Sequence, residues 1–207
     1  PGAAPGAAPG AAPGAIPSGV EMQGPFGHLA YLGKGRFARG PLGAGSRHEA
    51  MFDHVVMVAA GSGVTPMLQL LRPLAAEWRS GGPVQVTLVD CNRSEADIIF
   101  REDLERLALE FAHRFRLRLV LSQPSEARDA PAEGQPARHL KGRVEGRVGQ
   151  QVLGEALRWG EASAGPQDVT LSPPRRLVLV CGPESFNTSV AGCLLHLDVP
   201  SDSIHVF

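Results

Sequence analysis

From Phe52 onward the sequence alternates between short runs typical of buried strands and longer runs with helical periodicity. The strand-like runs are 54–60, 84–90, 117–122, 176–181 and 203–207. Helical patterns lie between them at 66–78, 98–114, 149–159 and 185–197. Such alternation favours right-handed βαβ units, in which helices cover both faces of a parallel sheet. We therefore predict an α/β fold with a five-stranded, parallel, doubly wound sheet.

The composition excludes several classes of function. The chain has 207 residues and a formal net charge of -1, so it lacks the positive charge that nucleic acid or an anionic membrane would attract. No apolar run is long enough to span a bilayer. The cysteines and histidines show no metal-ligand spacing, and no metal site is predicted. Three cysteines without a signal peptide are typical of a reduced, cytoplasmic protein.

The amino-terminal part has a different character. Residues 1–19 repeat proline, glycine and alanine, which is typical of a flexible linker. Residues 20–48 hold a short alternating segment and glycine-marked turns, and they are too few to fold alone. The regular α/β pattern then occupies residues 49–207.

Two turns are expected on one rim of the sheet, at the carboxyl ends of the first and fourth strands, where doubly wound folds bind ligands. In the first, GSGVTP, Gly61 and Gly63 let the backbone approach a ligand. Thr65 is predicted as the N-cap of the following helix, and Pro66 as its first residue. Free N–H groups at this helix start can bind an anion, but a plain strand-to-helix turn explains the pattern equally well.

The second turn, CGPESF, places Cys181 at the end of a buried strand. Gly182 and Pro183 fix a sharp bend, and Phe186 offers an aromatic face to a ligand or to the core. A buried cysteine is often only a small hydrophobic residue. Its position on the rim favours a role in binding.

Five ordered segments together carry a family resemblance: GPFGHLAYLGKGRF, MVAAGSGVTPMLQLL, LVDCNRSEADIIFREDLERL, LVLVCGPESF and the terminal IHVF. They resemble the cytochrome b5 reductase and nitrate reductase branch of the ferredoxin–NADP reductase superfamily over 20–207. The first turn of that family is typically G-G-T-G-I-T-P-M, so Pro66 belongs to the pattern.

The resemblance implies an NAD(P)-binding domain that follows a flavin-binding β-barrel. In such enzymes a hydride passes from NADH or NADPH to FAD, and electrons continue to a haem acceptor such as cytochrome b5. Residues 20–48 then correspond to the last barrel strand and the interdomain linker. The family's flavin motif, Arg-x-Tyr-Ser/Thr, is absent from this sequence. An upstream flavin domain is therefore expected to hold FAD, and this chain alone is expected to be inactive.

The resemblance also implies roles for individual residues. Cys181 sits beside the nicotinamide and aligns the ring, and the Thr65 hydroxyl is placed to touch the flavin. The adenosine-side turn departs from the family, since Glu-Ser-Phe replaces the usual Pro-Pro-Met. The residues implied in cofactor binding are Gly61, Ser62, Gly63, Val64, Thr65, Pro66, Ser122, Gly182, Pro183, Phe186 and Phe207.

The choice of coenzyme depends on Ser122, which aligns with a position often occupied by aspartate in NADH-specific relatives. Serine lacks the charge that would repel a 2′-phosphate, so we predict tolerance of NADPH, with Arg128 as a phosphate partner. The alternative is that Ser122 merely begins a loop.

Three other patterns have structural interpretations. Ser94 to Asp97 has the form of a capping box and predicts the start of the second helix. Arg114, Arg116 and Arg118 alternate along a strand and predict one solvated face. Loops are expected around one helix in 129–176.

Two further hypotheses stay open for the function. The chain could be the carboxyl-terminal part of an assimilatory nitrate reductase, which shares this chemistry but has another acceptor. It could also be a non-catalytic nucleotide-binding or interaction module without flavin.

Overall fold

The computed structural model describes four stretches of the chain, residues 28–40, 48–123, 143–159 and 175–207. The linker predicted over 1–19 lies outside them. The helices and strands are β1 (Leu29–Gly33), β2 (Arg36–Arg39), β3 (His48–Met51), β4 (His54–Ala60), α1 (Val64–Trp78), β5 (Gln85–Asn92), α2 (Arg101–Glu110), β6 (Phe115–Leu121), β7 (Arg143–Glu145), α3 (Gln150–Arg158), β8 (Arg176–Cys181), α4 (Glu184–His196) and β9 (Ile204–Val206).

Strands β4 to β9 form one parallel sheet in the order β7-β6-β5-β4-β8-β9. The predicted α/β, doubly wound architecture is confirmed, but the predicted count of five strands is one too low. The additional strand is β7, whose three residues pair with the end of β6. Two of its three residues are charged, so no apolar run marks it in the sequence.

Helices cover both faces of this sheet, and each face has its own apolar cluster. On one face α1 and α2 pack against residues such as Val55, Met57 and Leu88. On the other face α3 and α4 pack against residues such as Val56 and Val178. Because both faces are buried, the central strands are almost continuously apolar rather than alternating.

Two predicted helix starts are wrong. Helix α1 begins at Val64, with Gly63 as its N-cap, because a 3-10 turn over Gly61–Gly63 leads directly into it. The Asp97 carboxylate accepts hydrogen bonds from the Ser94 N–H and hydroxyl, so the capping box exists, but it holds only a 3-10 turn. Helix α2 starts later, at Arg101, after a left-handed residue.

The arginines of β6 do not form one solvated face. Arg118 forms an ion pair with Glu155 of α3, and its side chain is largely buried. The Arg116 guanidinium lies over the Trp159 ring at 5.9 Å from its centroid. These side chains therefore fasten α3 to the sheet.

The first three strands form a separate antiparallel sheet in the order β1-β2-β3, where a single barrel strand was expected. The carboxylate of Glu77, near the end of α1, holds this sheet in place. Its oxygens accept hydrogen bonds from the Tyr31 hydroxyl at 2.5 Å and from the Lys34 N–H at 2.8 Å. The small sheet thus lies at the amino ends of the parallel strands, away from the rim.

Candidate functional site

A cleft of about 1030 Å³ opens at the carboxyl ends of β4 to β8. The order of the strands reverses between β4 and β8, so the turns that follow these two strands are adjacent, as predicted. The lining residues are Ala60, Gly61, Ser62, Gly63, Cys91, Asn92, Arg93, Asp97, Val120, Ser122, Gly146, Arg147, Val148, Cys181, Gly182, Pro183, Ser185, Phe186 and Ser189.

The first turn uses its two glycines for different reasons. Gly61 has φ +53, a left-handed conformation that favours glycine, and a Cβ there would meet open space. Gly63 is right-handed and buried, but a Cβ there would lie 2.1 Å from the Cys181 carbonyl oxygen. Gly61 is therefore needed for the turn itself. Gly63 is needed because the two turns of the rim touch each other.

The second turn is packed as tightly as the first. A Cβ on Gly182 would lie 2.6 Å from a Phe186 ring carbon and 3.0 Å from the Ala60 Cβ. The Phe186 ring therefore rests on the backbone of the turn and joins the apolar cluster beneath it. Phe186 also lines the cleft.

Cys181 is half-buried at the end of β8, where it pairs with Ala59. Burial raises the pKa of its thiol above the ordinary value. The thiol is consequently protonated at neutral pH, and a protonated thiol is a poor nucleophile. This chemistry suits a group that positions a ligand rather than one that attacks it.

Most of the predicted site residues meet in the cleft. Those that line it are Gly61, Ser62, Gly63, Ser122, Cys181, Gly182, Pro183 and Phe186. Val64 is buried in the core, and Pro66 lies in the first turn of α1. The exposed Thr65 donates its hydroxyl to the Ser62 carbonyl oxygen at 2.7 Å.

Phe207 lies beyond the end of β9 and is not among the residues that line the cleft. Its N–H donates to the Val180 carbonyl oxygen at 3.0 Å, and its half-exposed ring lies edge-on to His205. The terminal residue is therefore tied to the rim strand β8.

Ser122 follows β6 and is exposed at the cleft. Its N–H donates to the Asn92 carbonyl oxygen at 3.0 Å, and the next N–H, of Gln123, donates to the Arg93 carbonyl oxygen at 2.8 Å. These bonds place Ser122 beside the end of β5. Arg128, its predicted phosphate partner, lies outside the described residues.

Two arginines that were not predicted line the same part of the cleft. Arg93 follows β5 and Arg147 follows β7, and both side chains are exposed. Within the described stretches neither guanidinium forms an ion pair. Asp97, the carboxylate that shares this lining, is held by Ser94. Arg93 could have been found from the rule that ligands bind at strand ends, whereas Arg147 depends on the unpredicted strand β7.

A buried carboxylate lies just below the cleft. Asp90 of β5 is 1% exposed, and its Oδ2 accepts a hydrogen bond from the Asn92 side-chain amide at 2.9 Å. Its Oδ1 has no hydrogen-bond partner among the described residues. Burial raises the pKa of Asp90 to about 6, against the effect of the Asn92 bond, which lowers it.

Two features are absent from the described residues. Those residues contain no group of three or more histidine, cysteine or acidic side chains that could hold a metal ion. Among them there is also no helix with the length and apolar character needed to cross a membrane.

A doubly wound parallel sheet with a glycine turn, a helix start and a cleft at the strand reversal defines a dinucleotide-binding α/β domain. Residues 57–192 match the family model described as the oxidoreductase NAD-binding domain. The chain belongs to that family.

Curated relatives come from two groups of enzymes. The chain is 34% identical over 188 residues to a nitrate reductase [NADPH] of Leptosphaeria maculans. The matched region covers 91% of this chain and 17% of that protein. It is 40% identical over 107 residues to NADH-cytochrome b5 reductase 1 of Bos taurus. That matched region covers 52% of this chain and 34% of that protein. The chain thus spans about one third or less of the length of these relatives.

Solved structures share the fold. The cytochrome b5 reductase domain of Ulva prolifera nitrate reductase matches with a TM-score of 0.67 at 20% identity, over 89% of this chain and 59% of that one. The CS-b5R domains of human Ncb5or, in the NAD+ form, match with a TM-score of 0.54 at 28% identity, over 75% of this chain and 37% of that one.

Proposed function

We propose that this chain is the nicotinamide-nucleotide-binding part of a flavin-dependent reductase. In this proposal a hydride passes from NADH or NADPH to FAD in a longer parent, and electrons continue to a haem acceptor such as cytochrome b5. The observation that carries it is the cleft, in which the glycine turn after β4 packs against Cys181 at the end of β8.

The lining residues fit a dinucleotide. The volume of about 1030 Å³ is at the upper end of the range for small-molecule sites. The turn over Gly61–Gly63 leads into the start of α1, where free N–H groups favour a phosphate. Apolar surfaces of Val120, Val148 and Phe186 suit the base rings, and the arginines suit anionic groups.

The positions of Cys181 and Gly63 on the rim determine what each residue contributes. The bound nicotinamide supplies the hydride chemistry. Cys181 contributes a small, neutral side chain that limits how a ring can lie on the rim, and Gly63 keeps that side chain at its position. Correct orientation of the reacting groups can change a rate by about a hundredfold.

The experiment compares Cys181→Ala with Cys193→Ala in the flavin-containing parent, with single-turnover flavin reduction as the readout. Cys193 is a partly buried thiol on α4, outside the cleft. We expect Cys181→Ala to slow flavin reduction by about ten- to a hundredfold, with little change in NADH affinity. Equal rates in the two variants would refute the role of Cys181.

A parent nitrate reductase is the second form of the same proposal, and the matches to nitrate reductases over most of this chain favour it. The two forms differ in the acceptor. Purified parent protein should absorb near about 450 nm because of its flavin. Reduction of added cytochrome b5 or of nitrate then distinguishes the forms, and a colourless parent that still binds NADH would indicate a non-catalytic module.

Acceptance of NADPH is proposed from Ser122, Arg93 and Arg147, which offer a hydroxyl and two cations to a 2′-phosphate, while the Asp97 carboxylate in the same lining is hydrogen-bonded to Ser94. We expect Arg147→Ala to weaken NADPH binding by about tenfold and NADH binding much less. Arg158→Ala, an exposed arginine at the end of α3 outside the cleft, is the matched control. If NADPH bound to the unaltered chain roughly a thousandfold more weakly than NADH, this proposal would be wrong.

The cytoplasmic location stays a proposal as well. The cysteines Cys91, Cys181 and Cys193 are free thiols, as in a reducing compartment. Fractionation of cells that express the tagged parent would test it.

A further inference from the structure

Asp90 occupies a position where a charged side chain is costly. On β5 it shares a face with Val86 and Leu88, and its neighbours across the sheet are Ala59 on β4 and Leu119 on β6. All four neighbours belong to the apolar cluster under α1 and α2. A carboxylate with one unpartnered oxygen destabilises such a cluster.

The one hydrogen bond that the Asp90 side chain forms within the described residues leads to the cleft. The Asn92 amide nitrogen donates to Asp90, and Asn92 itself lines the cleft while only 8% exposed. In the described stretches no donor bonds to the Asn92 side-chain oxygen. An ionised carboxylate can only accept, so it fixes which end of the amide points toward it.

We propose that Asp90 is a positioning residue of the nucleotide site, which holds the Asn92 amide with its oxygen available to the ligand and reverses that amide when the carboxyl group is protonated. This inference rests on the proposed nucleotide-binding function. The ligand groups concerned are hydroxyls of the nucleotide, which donate to an amide oxygen.

The reversal follows from hydrogen-bonding chemistry. Protonated Asp90 carries an O–H donor, and its stable partner is the Asn92 oxygen. The amide then turns its NH2 group toward the cleft, and a ligand hydroxyl loses its acceptor. One neutral hydrogen bond corresponds to about a fivefold change in affinity.

Few other titratable groups face Asp90. The residues of α1 that face the sheet are uncharged, as are Ala59 and Leu119 beside it. On β5 itself the only titratable neighbour is the Cys91 thiol, whose pKa is raised by burial and then by Asp90. On α2 the buried Glu105 is paired with Arg101. The pKa of about 6 for Asp90 places the change within a range that binding assays can reach.

The test measures NADH affinity of the full 207-residue chain between about pH 5 and about pH 7.5, because no group of NADH titrates there. We expect the affinity to fall about fivefold on acidification, with a midpoint near pH 6. Asp90→Asn should give a flat profile. Glu105→Gln is the matched control, a buried carboxyl group outside the cleft, and it should keep the profile of the unaltered chain.

A second measurement, by NMR, tests the inference without a substitution at Asp90. The side-chain 15NH2 signal of Asn92, assigned by its loss in Asn92→Ala, should titrate with the same midpoint. A flat affinity profile in the unaltered chain, or an unchanged profile in Asp90→Asn, would overturn the inference while leaving nucleotide binding intact. No NADH binding at any pH would instead overturn the proposed function and this inference with it.

Discussion

The buried carboxyl group of Asp90 leads to a prediction about stability that is independent of ligand. In the unfolded chain Asp90 has its ordinary pKa of 3.8, and burial raises the pKa to about 6 in the native state. The native state therefore binds the proton more tightly than the unfolded state does. As pH rises from about 4 to about 6, the free energy of unfolding must fall because of this group.

The size of the effect follows from the two pKa values. Each pH unit between them is worth about 1.4 kcal/mol, so the ionised side chain costs about 3 kcal/mol at neutral pH. Asp90→Asn removes the charge and keeps an oxygen for the Asn92 amide. Because the new amide N–H groups are also buried, we expect a gain of about 2 kcal/mol at pH 7.

The assay is urea unfolding of both proteins at several pH values between about 4 and about 8. The difference in free energy of unfolding should rise by roughly 2–3 kcal/mol across this range, from slightly negative at the acid end to its full value of about 2 kcal/mol above about pH 6.5. Other titrating groups are common to both proteins and cancel in that difference. If Asp90→Asn were no more stable at pH 7.5, or if the difference did not vary with pH, the reasoning about this carboxyl group would be refuted.

Three other predictions concern the rest of the molecule. Gly63→Ala should lower the free energy of unfolding by several kcal/mol and abolish NADH binding. Gly61→Ala should lower it by only about 1–2 kcal/mol, which is the penalty of a left-handed residue with free space around it. Urea unfolding and calorimetric titration would show whether the two variants differ. Burial and the charge of Arg176 lower the pKa of His54 to about 4. This group should therefore reduce the free energy of unfolding by up to about 3 kcal/mol as pH falls from about 6.5 toward 4. His54→Leu should lose that pH dependence, and an unchanged slope in the variant would contradict the prediction. Burial and, after it, the Glu77 carboxylate raise the pKa of Tyr31, the only tyrosine of the chain. Glu77→Ala should therefore lower the pKa of Tyr31 in an ultraviolet absorbance titration. An unshifted titration would show that the contact between Tyr31 and Glu77 is absent in solution.

The overall fold was predictable because the hydrophobic pattern carries it. Runs such as 55–60 are apolar at every position, and in an α/β fold this indicates a strand buried on both faces. The adjacency of the turns after β4 and β8 followed from the same topology. Strand β7 could not be predicted, since its Arg143–Glu145 segment has no apolar pattern and is held by pairing with β6 and by an ion pair between Arg143 and Glu95.

The site was predictable only where local sequence defines it. Glycines and Cys181 were found because backbone geometry and strand ends leave a pattern in the sequence. Arg147 was not found, since its place in the cleft depends on β7. A second reason for glycine at position 63 was not found either, because only the folded chain shows that a Cβ there would meet the Cys181 backbone.

The contact between Gly63 and the Cys181 backbone has a consequence for motion. Since an added Cβ on Gly63 would lie 2.1 Å from the Cys181 carbonyl oxygen, the two turns of the rim already touch, and the cleft cannot narrow between β4 and β8 without displacing one of them. The opposite side of the cleft is bounded by the edge strand β7, which has three residues and is followed by the left-handed Gly146. The ion pair of Arg143 with Glu95 ties that edge to the segment after β5, so added salt should weaken this tie.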